Sequence, residues 1–272
     1  MRVGIFILIA AAAAAQTQTG GRGVNLYSVQ KEAALGASMA REVRAHTRIL
    51  ETDGIQGYLD GVSGKLSPQF AGSAFPFQVE VTADGDASEP TVLPGGYIFV
   101  SAGLVAKAQD EAEFVGLLAH AMAHVNERDN TRLASRGEIA QMATIPLIFM
   151  PATFPANGNV MPVALERYWQ QFELSADVMG VQAAADSGYD PAGLLRFVQR
   201  ELAGIAAFPG GVPRRQYEAR VAGLERSLAA IPARGYAASD GDFARFQEEV
   251  QGLTPARAEA ARPRPSLKRP GN

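Results

Sequence analysis

The chain has 272 residues, 47% of them hydrophobic, and carries 25 Lys and Arg against 28 Asp and Glu for a formal net charge of −3. That balance fits a folded domain with a sizeable core and excludes both the basic footprint of a nucleic-acid binder and an acidic tail. The chain contains no cysteine, so disulfides and cysteine-borne lipid are ruled out.

Residues 1–15 place Arg2 before an apolar run from Gly4 to Ile9 and a string of alanines ending at Ala15. This is the pattern of a secretory signal peptide cleaved after Ala15, and it implies a periplasmic or secreted protein. The run is shorter than the roughly 20 apolar residues a bilayer span needs. Apolar residues then recur at helical spacing from Ser28 to Leu50 and from Gly54 to Leu66, the second stretch closed by Ser67-Pro68. Phe75 to Thr82 alternates as a strand does, and a polar loop runs from Ala83 to Glu89. The segment "TVLPGGYIFVSAGL" predicts a turn at Pro94-Gly95-Gly96, a strand from Tyr97 to Val100 and a helix starting at Ser101.

Asp110 opens the next predicted helix, with Glu111 and Glu113 in the first turn, where the helix dipole favours acids. Farther on, Ile139 to Phe154 is apolar but interrupted by Pro146 and Pro151, which reads as a loop, a lid or a flap for peripheral membrane contact rather than a spanning helix. Val163 to Asp186 reads as a long helix ended by Ser187-Gly188, Pro191 begins another, and Arg214 to Leu228 reads as the last. Residues 240–272, closing with "TPARAEAARPRPSLKRPGN", read as a disordered tail rich in Pro, Ala and Arg. The organisation predicted is a signal peptide at 1–15, one domain over 25–230 and that tail.

Two of the three histidines lie in "GLLAHAMAHVNERD", on the helix opened by Asp110. Residues four apart share a helix face, so the imidazoles of His120 and His124 can both reach one tetrahedral zinc ion. Glu173 and Asp177, again four apart on the Val163 to Asp186 helix, could complete the site: Glu173 as third ligand, Asp177 behind a ligand histidine. The bland alternatives are a pair of packed core histidines and a solvated acidic helix face.

The stretches "LPGGYIFVSAGL", "DEAEFVGLLAHAMAHV", "ELSAD" followed by "GYDP", and a terminal helix containing Arg220 resemble one family. It is the zinc metalloendopeptidase family of HtpX, the BepA-type periplasmic proteases and the CAAX prenyl proteases, and the likeness runs from about Asn25 to Leu228. The resemblance implies a mostly helical α+β domain of the zincin type with a small β-sheet, and one Zn²⁺ held by His120, His124 and Glu173 with Asp177 behind them. It also implies an edge strand, here Tyr97, Ile98, Phe99 and Val100, that pairs with an extended substrate; an ordinary core strand is the alternative.

Several positions depart from the family pattern. Ala121 stands where the family carries the glutamate that acts as general base. Arg128-Asp129 replaces an Arg-His pair, Phe208-Pro209 stands for His-Pro, and Glu89-Pro90-Thr91 for Asn-Ala-Phe. A methyl group cannot take a proton from an attacking water, and Glu113 and Glu127 lie too far along the helix to replace it. The reading is a zinc-binding pseudopeptidase that binds unfolded or extended polypeptides, including envelope proteins. Its rivals are an active endopeptidase with a replacement base and a metal-free interaction module.

Overall fold

The computed structural model describes residues 25–83, 87–140, 163–205, 212–236 and 241–254. The proposed signal peptide, Phe208-Pro209, the tail beyond 254 and nearly all of the apolar 139–154 stretch lie outside them. In chain order the elements are α1 (Val29–His46), β1 (Ile49–Leu50), α2 (Asp53–Leu66), β2 (Gln78–Thr82), β3 (Thr91–Val92), β4 (Tyr97–Ser101) and α3 (Ala102–Lys107). They continue with α4 (Glu111–Glu127), α5 (Asp129–Ala140), α6 (Val163–Asp186), α7 (Ala192–Gly204), α8 (Val212–Ala230) and α9 (Asp242–Leu253). The domain is a mostly helical α+β fold.

Short polar side chains start the helices. Ser28, Thr52, Ser101 and Asp110 each accept a hydrogen bond from a backbone N–H of the first turn and so satisfy a donor that has no partner within the helix. The first predicted helix runs too long: Thr47 is extended, and Ile49–Leu50 pairs with Thr82 and Val81 instead. A two-residue apolar run suits helix or strand equally, and pairing with β2 decides it while burying Leu50.

The sheet order is β1-β2-β4-β3, with β4 parallel to β2 and antiparallel to β3. The expected substrate strand is therefore corrected. Tyr97, Ile98, Phe99 and Val100 belong to an interior strand whose backbone is paired on both sides, and Ile98, Phe99 and Val100 are buried. The edge on that side is β3. The reason lies in Pro94-Gly95-Gly96: left-handed backbone at Gly95 (φ 80°) and Gly96 (φ 96°) folds Thr91–Val92 back along β4.

From Glu113 to Val125 helix α4 is buried on every side, as its all-round apolar sequence requires. Helices α6 and α7 pack along it. The approach of α6 depends on Gly180, where an added Cβ would lie 2.8 Å from the His120 backbone nitrogen.

The tail prediction is corrected over 242–253. There "DFARFQEEV" sets Phe243, Phe246 and Val250 on one helical stripe, all three buried. Phe246 stacks on Tyr58 with centroids 4.5 Å apart, and Phe243 and Phe246 lie 5.5 and 5.3 Å from Phe114 of α4. Among the described residues no helix is long and apolar enough to cross a membrane.

Candidate metal centre

His120 and His124 stand one turn apart in the buried middle of α4, their rings nearly perpendicular with centroids 4.6 Å apart. The two Nε2 atoms face each other at 3.0 Å. From α6, Glu173 brings Oε2 to 3.5 Å from His120 Nε2 and Oε1 to 3.5 Å from His124 Nε2. One ligating atom from each of the three lies within 4.8 Å of the other two. The structure thus brings together all three residues expected to hold the metal.

The opposite side of each ring is occupied. Asp177 Oδ1 lies 2.9 Å from His120 Nδ1, and Asp129 Oδ2 hydrogen-bonds His124 Nδ1 at 2.9 Å. His124 Nδ1 is hydrogen-bonded to its carboxylate, whereas His120 Nδ1 lies close to Asp177 without hydrogen-bond alignment; with a metal bound and the proton on Nδ1, each imidazole would offer the lone pair of its Nε2 to the common centre. Arg220 of α8 orients the acid on the first ring, donating from Nε and Nη2 to the two Asp177 oxygens at 2.9 and 2.8 Å. Its remaining nitrogen, Nη1, sits 3.3 Å from Glu173 Oε2 and bonds Glu89 Oε1. Trp169, the only tryptophan, stacks on His124 at 6.2 Å with the rings 10° from parallel.

Charge explains what this cluster wants. Burial opposes a protonated His124, but the hydrogen bond to Asp129 and the nearby Glu173 carboxylate outweigh it and push the ring up to about 10. His120 is raised against the same burial penalty by Asp177 and Glu173. Burial favours a neutral Glu173, yet the two imidazoles and Arg220 hold its carboxyl well below the usual carboxylate range. Four carboxylates, from Glu89, Asp129, Glu173 and Asp177, crowd a site whose fixed cation is Arg220, so positive charge is strongly favoured at the point where the Nε2 atoms meet.

Both Glu173 oxygens are buried and make no normal hydrogen bond. A divalent cation at that point would satisfy them and both imidazole nitrogens at once. Two nitrogens and one carboxylate form a donor set that suits zinc and leaves a fourth position open.

Ala121, between the histidines, is fully buried and offers no proton acceptor. The acids of α4 are engaged elsewhere: Glu111 accepts from the Tyr58 hydroxyl at 3.1 Å, Glu113 takes Arg200 Nη2 at 2.6 Å, and Glu127 lies 3.4 Å from Arg132. Two positions of this cluster escape sequence reading. Asp129 and Glu89 look like losses when set beside related sequences, whereas the fold carries one to His124 and the other to Arg220. The only local signal for Asp129 is a carboxylate just past the end of a ligand-bearing helix.

Paired histidines on a buried helix, completed by an acid from a second helix, define a metallopeptidase-type centre. Residues 56–230 match the model of peptidase family M48, and the chain belongs to that family of metal-dependent peptidases. It is similar to the beta-barrel assembly-enhancing protease of Yersinia pestis, 23% identical over 185 residues that make up 64% of this chain and 38% of that protein. A Vibrio cholerae serotype O1 protein assigned the same activity is 24% identical over 185 residues, with the same shares, 64% and 38%, of the two chains. The chain therefore spans well under half the length of these relatives.

Proposed function

We propose that this protein holds one zinc ion through His120, His124 and Glu173 and binds extended polypeptides beside it without efficient hydrolysis. One observation carries the reading: the three ligating groups converge with a carboxylate close behind each histidine, while the residue that follows His120 is alanine. A bound zinc supplies a Lewis acid that polarises a peptide carbonyl and acidifies water. The chain's own residues hold the rings, set their tautomers and exclude solvent. None on α4 is placed to accept a proton. Positioned acid–base catalysis is typically worth 10²–10⁴-fold, so the deficit is large.

The metal-free interaction module is disfavoured by the two imidazole nitrogens directed at each other and at a carboxylate without hydrogen bonds. For the polypeptide, the interior position of β4 moves the pairing surface to β3. Val92 faces away from β4, because Leu93 N–H and the Thr91 register point toward it. Val92 and His124 border the same tightly packed spot with Glu32, Leu93, Arg128 and Asn130, a contact too close to admit even a water molecule. Backbone pairing along an edge strand needs no general base and survives loss of the glutamate. The signal-peptide pattern supports a periplasmic or secreted location, and the names of the two relatives, which speak of beta-barrel assembly, fit envelope proteins among the polypeptides.

The test is metal analysis of the purified mature chain, with His124→Ala as control, followed by fluorescence anisotropy of labelled unfolded peptides. The expected result is about one zinc per chain, lost in the variant. Saturable peptide binding should accompany it while casein stays uncut. A chain that remains metal-free after incubation with zinc overturns the reading.

A further inference from the structure

We propose that Asp129 is a positioning residue that fixes His124 for metal retention. The proposal rests on the reading of His120, His124 and Glu173 as metal ligands. It assigns to this site a second carboxylate–imidazole pair beside that of Asp177 and His120.

The observation begins with backbone geometry. Helix α4 ends at Arg128, which takes left-handed backbone (φ 57°, ψ 38°) and is the only non-glycine residue described with positive φ. That conformation is unfavourable for a residue with a Cβ and persists only where its surroundings over-determine it. Here they do: Arg128 donates from Nε to buried Glu32 at 2.7 Å and from Nη2 to the Tyr27 carbonyl at 2.7 Å. Thr131 donates to the same Glu32 oxygen at 2.8 Å. A buried ion pair therefore pins the reversal between α4 and α5.

The reversal has one chemical consequence at the metal centre. Asp129, first residue of α5, is folded back over the last turn of α4, and its Oδ2 meets Nδ1 of a ring five residues earlier. It is 2% exposed, so water cannot compete for the bond. The side chain sits at a helix N-terminus, where a carboxylate is favoured in its own right. As acceptor it commits the Nδ1 proton, leaves Nε2 unprotonated toward Glu173, and holds the ring plane against Trp169.

A carboxylate behind a ligand imidazole raises its basicity and its hold on the metal while leaving the ion a weaker Lewis acid. This chain thus combines alanine at position 121 with a carboxylate behind the ring at 124. The combination favours keeping the ion over turning substrate through it.

The experiment measures zinc affinity of the mature chain by competition with a chromophoric chelator, for wild type, Asp129→Ala and Asp129→Asn. The visible absorption bands of the cobalt-substituted proteins and Trp169 fluorescence are recorded alongside. Asp129→Ala should weaken zinc binding about 10- to 100-fold, the usual effect of removing such a partner. Asp129→Asn, whose amide oxygen still accepts the Nδ1 proton but bears no charge, should fall between the two and shift the cobalt bands. A merely structural role would lower stability without moving those bands.

Wild-type affinity and an unshifted cobalt spectrum in a folded Asp129→Asn overturn the proposal while the ligand assignment stands, and this holds even if the alanine variant fails to fold. Absence of zinc binding by wild type overturns the ligand assignment itself, and the proposal with it.

Discussion

On the function proposed above, Ala121 is the residue on which activity turns. Restoring the acid with Ala121→Glu should raise peptide hydrolysis by about 10²–10⁴-fold, because it returns a proton acceptor between two ligands already in place. Helix propensity hardly opposes the change, since alanine and glutamate are both good helix formers. Burial does oppose it: the alanine is fully inaccessible, so the metal-free variant should melt at lower temperature than wild type, and zinc should recover the difference. Casein cleavage with and without chelator, beside thermal melts of both proteins, checks both halves. A zinc-loaded variant that stays inert would place the fault elsewhere in the site.

The histidine pair and the Glu173–Asp177 pair were legible in the sequence because four-residue spacing on a helix is a local property. Asp129 was not, since its reach depends on a left-handed Arg128 that is held from Tyr27 and Glu32, about a hundred residues away in the chain.

At the scale of elements, the strands divide what a local pattern can fix from what it cannot. Alternation located β2, and the Pro-Gly-Gly turn located β4 to within a residue. Which strand forms the edge is a non-local matter: β3 is too short to read, yet it covers one side of β4 while β2 covers the other. The exposed side of β3 is itself partly occupied, because Asn130 Nδ2 donates to the Val92 carbonyl at 2.8 Å. An extended polypeptide pairing at Val92 has to displace that amide. Asn130→Ala should therefore bind labelled unfolded peptides more tightly, by roughly 3- to 10-fold for one competing hydrogen bond of about 1 kcal/mol. Anisotropy titrations at equal zinc loading decide it. Unchanged or weaker binding would show that the amide helps to hold the peptide or that pairing occurs elsewhere.

For the whole molecule, the family match ends at residue 230, but the core does not. Helix α9 adds Phe243, Phe246 and Val250 to the cluster that contains Phe114 and the α2 side chains Ile55 and Leu59. Gln247 Nε2 ties it to the carbonyls of Val105 and Ala108, both at 2.8 Å, and Thr52 donates to Glu249 at 2.5 Å. Phe246→Ala should cost about 3–5 kcal/mol of stability by chemical denaturation, the range for a large aromatic removed from a packed interior. A cost below 1 kcal/mol would mean that α9 is an appendage.

That clasp also makes a load path. Phe114 of α4 bears on α9 at one end, and farther along the same rigid rod stand the two imidazoles that face Glu173. Tension applied at Thr254 meets the Arg48 bond to the Leu253 carbonyl and the Thr52–Glu249 bond before it reaches the Tyr58–Phe246 stack and, through Phe114, the rod that carries two of the three proposed ligands. A tether, a fused domain or a bound partner pulling there would therefore act mechanically on the proposed metal centre from behind, without touching its ligands.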